Sequence, residues 1–242
     1  MQYHEVKINL SFANTVKNVS SSDSDLTVQA YVDYVYLDTD ERRRFAQASH
    51  EYLIQQLQFT GDESVLASAA ASKSQNVRLN FNHPVKFLTW VFKGTEHGHY
   101  TSVGTTDIAN IANYTEAYAP LQSAKLQLNG HDRFSERKGS YFNLVTPWQT
   151  LRAKAPAGVY LYSFSLKPDE HQPSGSCNFS RIDNATLSIT LKKASANVDI
   201  ANIADENTTL TGATNLTALK VFAENYNILR IMSGMGGLAY SS

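Results

Sequence analysis

The sequence contains one cysteine, Cys177, and within a dozen positions of it lie Asp169, Glu170, His171 and Asp183. Thiol, imidazole and carboxylate are the parts of a Cys–His nucleophile or of a metal site. A nucleophile needs a base within hydrogen-bond reach and an orienting group behind it. Here Gln172-Pro173-Ser174-Gly175-Ser176 separate His171 from Cys177, and Pro with Gly describes a loop. Cys177 precedes Asn178-Phe179-Ser180 and reads as a small apolar residue entering a strand. A metal site would want a second cysteine or a histidine pair at ligand spacing. The expectation is a shaped loop: Pro168 and Pro173 stiffen it, Gly175 turns it, and Lys167, Asp169, Glu170 and Arg181 pair locally.

Other chemical candidates are weaker. Glu96, His97 and His99 fall in a polar connection and read as an exposed loop. A cupin-type enzyme would need several histidines and a carboxylate converging inside a barrel. His4, His50, His83, His97, His99, His131 and His171 are scattered along the chain instead. Arg42-Arg43-Arg44 could grip phosphate, but without interleaved aromatics it reads as a solvated linker helix. Ser233-Gly234-Met235-Gly236-Gly237 mimics a nucleotide loop, yet only Leu238 to Ser242 follow, too few for a phosphate-binding helix, so a flexible tail is expected. Walker, HExxH and GxSxG patterns do not occur. Six Asn-x-Ser/Thr sequons occur, at Asn18, Asn113, Asn178, Asn184, Asn207 and Asn215, and no glycan is assigned to them because no signal peptide is visible. The expectation is therefore no catalytic residue, no cofactor and no metal.

The elements that would carry these residues follow a period of two. The chain has 242 residues, 42% of them hydrophobic, enough for a substantial core. Charged residues make up 18% and the net charge is −1, so no global basic field attracts nucleic acid or an acidic membrane. The lone cysteine allows no intrachain disulfide. No stretch approaches the roughly 18 consecutive apolar residues of a membrane span, and a soluble chain is expected. Val6, Ile8, Leu10 and Phe12 alternate with Lys7, Asn9 and Ser11, which predicts a strand over 3–12. A second strand is predicted over 27–38. A short helix near 40–48 has Thr39 as its expected N-cap and Asp40 and Glu41 in its first turn. Further strands are predicted over 51–59, over Asn76–Phe81 and Val85–Phe92 on either side of an Asn82-His83-Pro84 turn, and in Ser123–Leu128, 158–166, 185–191 and 218–232. A mobile loop is expected over 60–75. Ser140 to Leu151 reads as a short helix or irregular turn. About eight strands with no strand–helix alternation argue for a two-sheet sandwich or jelly roll. Val77, Leu79, Phe87, Val91, Leu126, Leu128, Leu161, Leu187, Ile189, Leu191, Val221 and Ile231 are expected to be mainly buried.

Several long stretches carry a resemblance: "YVDYVYLDTDERRRFAQASHEYLIQQLQF", "LNFNHPVKFLTWV", "LNGHDRF", "GSYFNLVTPWQ" and "NYNILRIMSGMGGLAY", with the loop around Cys177. Together they closely resemble the major capsid proteins of nucleocytoplasmic large DNA viruses, of iridovirus, chlorovirus and marseillevirus type, from residue 2 to the C-terminus. The resemblance implies a double jelly roll. Residues 1–38 would be the last strands of an incomplete first jelly roll, 39–49 a helical linker, and 50–242 a complete, antiparallel, eight-stranded C-terminal jelly roll. It also implies a homotrimer forming a pseudo-hexameric capsomer. Neighbouring capsomers and minor capsid proteins would be its partners in an icosahedral virion shell assembled in the host cytoplasm. An internal viral membrane would lie nearby without insertion of the chain, and there would be no direct contact with nucleic acid. The strands in 1–38 would then be completed by a separate N-terminal polypeptide or by residues outside this chain, or else pack on a neighbouring copy or be poorly ordered. Residues 167–184 resemble the family's signature loop, with a geometric role and no catalysis.

Two other functions compete. A jelly-roll carbohydrate-binding module would use exposed aromatic rings. Trp90 sits in an apolar strand and Trp148 follows Pro147 in a turn that reads as packed, so neither is expected to be exposed. A cupin-type enzyme is the other, already weakened by the scattered histidines.

Overall fold

A computed structural model describes residues 5–10, 28–65, 73–94, 120–156, 158–192, 194–195, 210–211 and 216–240. The chain divides into two compact units: residues 1–52 with 228–239, and residues 53–227 with 240–242.

The larger unit is a sandwich of two antiparallel sheets. Its strands, with those that run on into the smaller unit, are β1 (His50–Ser64), β2 (Lys73–Arg78), β3 (Pro84–Gly94), β4 (Leu121–Leu128), β5 (His131–Asp132), β6 (Arg137–Lys138), β7 (Val159–Ser163), β8 (Cys177–Asn178), β9 (Ala185–Leu191), β10 (Ala194–Ser195), β11 (Leu210–Thr211), β12 (Leu216–Met232) and β13 (Met235–Leu238). One sheet runs β1-β12-β3-β7, with β13 on β12 and β8 on β3. The other runs β2-β9-β4-β5, with β6 on β4. Counting the short β5 and β6 as one position and omitting the short β8, β10, β11 and β13, chain order 1-8-3-6 faces 2-7-4-5. That interleaving is the eight-stranded jelly roll, two Greek keys wound together. A small parallel pair, β10 with β11, stands outside both sheets.

Alternation builds the core. In β9 alternate residues are buried throughout, placing Ala185, Leu187, Ile189 and Leu191 inside. β4 adds Leu121, Ala124 and Leu126 from the same sheet. Leu88, Trp90 and Phe92 of β3 and Leu219, Val221 and Ala223 of β12 come from the other. Trp90 packs against Tyr160 and Phe142 at centroid distances of 6.0 and 5.2 Å. Of the residues expected inside, Val77, Leu79, Leu126, Leu161, Leu187, Ile189, Leu191 and Val221 are buried. Phe87, Val91, Leu128 and Ile231 are only half-buried, and the expectation fails there. On β3 the reason is a bulge. Glu224 of β12 opposes Phe87 while the next residue, Asn225, opposes Val85, so Lys86 is the extra residue. Beyond it the core face is held by Leu88, Trp90 and Phe92, not by Phe87 and Val91.

The same bulge places Lys86 where only 1% of its side chain is exposed, with Nζ 2.8 Å from Glu224 Oε1. The Gln55 amide lies against both groups, and with its oxygen turned to the ammonium it accepts from Nζ at 2.9 Å and donates to Glu224 Oε1 at 3.1 Å. The Tyr226 ring lies 5.4 Å from the ammonium.

Other boundaries shift. β1 extends to Ser64 and β2 starts at Lys73, so part of the expected 60–75 loop is strand, and residues 66–72 lie outside the described residues. The predicted strand over Asn76–Phe81 ends at Arg78, and the chain passes between sheets around His83, whose φ is +66°.

In the smaller unit, helix α1 (Thr39–Gln47) is capped by Asp38 rather than Thr39, with Asp38 and Glu41 forming a capping box. Residues 233–237 are no flexible tail. Ser233 and Gly234, at φ +50° and +79°, make the turn of a β12–β13 hairpin, a left-handed pair that suits the twist of its strands. Of the strands expected over 3–12 and 27–38, the described residues 5–10 and 28–38 carry no ladder, and the remaining residues lie outside the described ones. A strand exists only through its partner's hydrogen bonds, and none of the described residues pairs with them. Their apolar side chains stay open, with Val6 and Tyr31 each 90% exposed.

Removing Glu224 would leave the Lys86 ammonium buried without its counter-charge. The Glu224→Ala variant is expected to lose about 3 kcal/mol in urea unfolding, the low end for a broken buried pair because Glu224 reaches solvent. Lys86→Met in the same background should recover most of it. No recovery would mean that the pair does not govern this region.

Candidate functional site

The loop that holds Cys177 joins β7 of one sheet to β9 of the other. It is closed by short-range hydrogen bonds. Lys167 N–H donates to Ser174 Oγ at 2.9 Å, and that hydroxyl donates to Lys167 O at 3.1 Å. Buried Ser165 donates from Oγ to Gly175 O at 2.5 Å. Gly175 has φ +134°, and a Cβ there would come within 3.0 Å of Phe164 O, so glycine is required for both conformation and space. Pro168 is buried. Lys167 Nζ meets Glu170 Oε1 at 2.8 Å, one of the ion pairs expected locally.

The far half of the loop is pinned to the sandwich. Cys177 and Asn178, forming β8, pair with Val85 and Pro84. Asn178 Oδ1 accepts from Ser180 N–H, capping a 3-10 turn over Phe179–Arg181. His83 N–H donates to Ser180 Oγ at 2.8 Å, and Phe179 N–H to His83 O at 3.0 Å. Asn129, in the turn after β4, accepts at Oδ1 from the N–H groups of Asp183 and Asn184. The loop is thus a rigid bridge between β3, β4 and the start of β9.

Cys177 is half-buried and packs against the core. Burial pushes its thiol pKa up, with Arg133 opposing, the reverse of what activates a nucleophile. His171 is exposed on the loop and forms no hydrogen bond to Cys177. Among the described residues, no group of three or more His, Cys, Asp or Glu could hold a metal. Glu96, His97 and His99 lie outside the described residues, as do the sequons at Asn18, Asn113, Asn207 and Asn215. Asn178 and Asn184 are exposed. Arg43 pairs with Asp40 across one turn of α1 at 3.6 Å.

The segment before β7 is helical, one of the two forms expected for it. It forms a π-helical turn (Tyr141–Val145) that runs into α2 (Thr146–Leu151). Phe142, Asn143, Thr146 and Pro147 are buried, and Asn143 Nδ2 donates to Pro156 O and Val159 O, each at 2.7 Å. Trp90 is fully buried, but Trp148 is 65% exposed, not packed into a turn. Sequence reasoning also missed Asn129 and Asn143. Each fastens a turn through its side-chain amide, and the Asn-Gly pair at 129–130 was the available signal for the first.

Comparison with known proteins places this geometry in context. The family model described as "Large eukaryotic DNA virus major capsid protein" matches residues 41–237. The major capsid protein of Paramecium bursaria Chlorella virus 1 is 52% identical, covering 100% of this chain and 62% of its own length. The major capsid protein of Pyramimonas orientalis virus is 46% identical, covering 100% of this chain and 56% of its own length. The chain therefore spans about three-fifths of the curated relatives it matches. A chain in the quasi-atomic model of the PBCV-1 virus capsid superposes with a TM-score of 0.78 at 54% identity, covering 86% of this chain and 56% of that one.

The raised thiol pKa sets an expectation for labelling. At pH 8 native Cys177 should react with a thiol reagent more slowly than in urea. Its rate should climb as pH rises toward the elevated pKa, because burial disfavours the thiolate. Fast labelling of the native chain at neutral pH would show an activated thiol.

Proposed function

The chain belongs to the large eukaryotic DNA virus major capsid protein family, and on that premise we propose that it is a structural component of a virion shell with no enzymatic role. The family match across residues 41–237 carries this reading. The fold supports it physically. Interlocked antiparallel sheets make a stiff wall, and the loop around Cys177 ties that wall together. Three copies would form a pseudo-hexameric capsomer that meets neighbouring capsomers and minor capsid proteins in an icosahedral capsid, assembled in the host cytoplasm. Residues 50–242 would be the C-terminal jelly roll of a double jelly roll, and 39–49 its linker. Residues 1–38 would add strands to a first sandwich. The unpaired, exposed apolar residues at 5–10 and 28–38 favour that completion, since such faces are seldom left wet.

A second reading, a carbohydrate-binding module, gains one observation: the open Trp148 ring could stack on a sugar. A glycan array beside a sizing experiment separates the two.

Electron microscopy of the purified protein should show three-fold particles, with residues 28–38 as strands in a second sandwich. Single sandwiches at every concentration, or three-fold particles in which 28–38 pair with nothing, would defeat the assembly and first-sandwich readings respectively.

A further inference from the structure

We propose that Asn129 is a modification site: when the β4–β5 hairpin opens, its side-chain amide deamidates, and the product releases the pinned half of the loop around Cys177. Asn129-Gly130 is the one Asn-Gly pair in the 242-residue sequence. Glycine carries no side chain to shield its backbone nitrogen, so that nitrogen can attack the preceding asparagine. The pair is exposed, and a Cβ on Gly130 would meet nothing within 4 Å, so no packed neighbour crowds the turn. The chemistry balances with water as the co-reactant. The Gly130 nitrogen bonds to Asn129 Cγ and loses its proton, the Cγ–Nδ2 bond breaks, and the amide leaves with that proton as ammonia. Water then opens the five-membered succinimide at either carbonyl. One opening leaves aspartate at 129. The other leaves isoaspartate, whose backbone runs through Cβ and Cγ and is one carbon longer.

The folded turn holds this step off. Leu128 pairs with His131, which leaves Asn129 and Gly130 as a two-residue hairpin loop with φ +51° and +80°. That is the type I′ turn that Asn-Gly favours. Ring closure needs the Gly130 nitrogen eclipsed with Asn129 Cβ, and the type I′ ψ of about +30° puts the two on nearly opposite sides of the Cα–C bond. The side chain is also held. Its Oδ1 accepts from the N–H of Asp183 at 3.0 Å and of Asn184 at 3.2 Å, while Asn129 N–H donates to Asn184 O at 2.7 Å. The turn must open and both Oδ1 bonds must break before the ring can form. Those same bonds set the consequence, because they fasten the point where the loop around Cys177 runs into β9. Aspartate at 129 keeps the acceptor. Isoaspartate displaces it by one carbon and lengthens a two-residue loop, so the turn and the latch cannot re-form together. Each opening that reacts is recorded as a covalent change.

Incubation of the full 242-residue chain at pH 8, folded in buffer and unfolded in urea, tests the site. Mass spectrometry of the peptide that spans Asn129 reads deamidation, and protein isoaspartyl methyltransferase separates isoaspartate from aspartate. The folded chain should deamidate about thirtyfold more slowly than the unfolded one, the factor for two net hydrogen bonds. Equal rates in the two conditions, or no deamidation in urea, would overturn the protected site. Hydrogen exchange tests the latch. Asn129→Gly removes the acceptor and still suits a type I′ turn, so the Asp183 and Asn184 amides should exchange faster than in the parent. Asn129→Asp keeps an acceptor and should restore slow exchange. Slow exchange of both amides in Asn129→Gly, or fast exchange in Asn129→Asp, would show that the Asn129 side chain does not hold the loop.

Discussion

The structure depends on which way the side chains of β3 point. This strand lies inside its sheet, between β12 and β7, and supplies Leu88, Trp90 and Phe92 to the core. Side chains alternate with a period of two, so one residue of slip would turn that set to the opposite face. The bulge at Lys86 performs such a slip locally. Val85 is fully buried on one side of it and Leu88 on the other, across an even–odd change that a regular strand could not make. The extra residue must be polar enough to end in an ion pair and long enough to reach one. Lys86 is both, and Glu224, Gln55 and Tyr226 gather around its ammonium.

Much of this was legible in the sequence, and the failures have identifiable causes. Residues 185–191 alternate apolar with hydroxyl-bearing residues almost throughout, and their strand appears with the predicted bounds. The stretch 85–92 is apolar on both faces, so alternation cannot say which face is the core, and nothing local announces a bulge. Trp148 was misread because Pro147 is buried while its neighbour is turned outward by the helix, a distinction made by three-dimensional phase alone. The tail after Met232 was read by its glycines as flexible, although Ser233-Gly234 supplies the paired left-handed residues of a tight hairpin. Residues 28–38 have an apolar, β-prone composition but no ladder. Composition states what a segment could pair with, and only a partner's backbone makes the strand. The Pro and Gly positions around Cys177 announce the turn that Gly175 makes at φ +134°, while nothing in those positions announces the asparagines that fasten the loop.

Those asparagines and their neighbours show how the sandwich fixes its ends. Past the bulge, β12 buries Asn225 and Asn227 where hydrophobic residues would have packed as readily. Asn225 Nδ2 donates to Asn82 O at 3.1 Å, and Asn227 Nδ2 donates to Gln56 Oε1 and to Tyr240 O, each at 2.9 Å. Asn82 N–H in turn donates to Gln58 Oε1. These bonds tie β1, β12, the β2–β3 corner and the chain terminus to one register. An apolar pair would give as much stability but would tolerate a shift. A buried amide out of register loses its partner and costs about 1–3 kcal/mol, so a slipped arrangement is penalised at each position. The network is not fully satisfied, since Asn225 Oδ1 and His83 Nε2 are buried without a protein partner. Both belong to the region where the left-handed His83 carries the chain from one sheet to the other, and where the pinned half of the Cys177 loop is anchored through Ser180 and Phe179. The polar core thus accepts a local cost where the two sheets and the loop around Cys177 must meet in one fixed geometry. A sandwich that must hold one register gains more from that constraint than from additional stability.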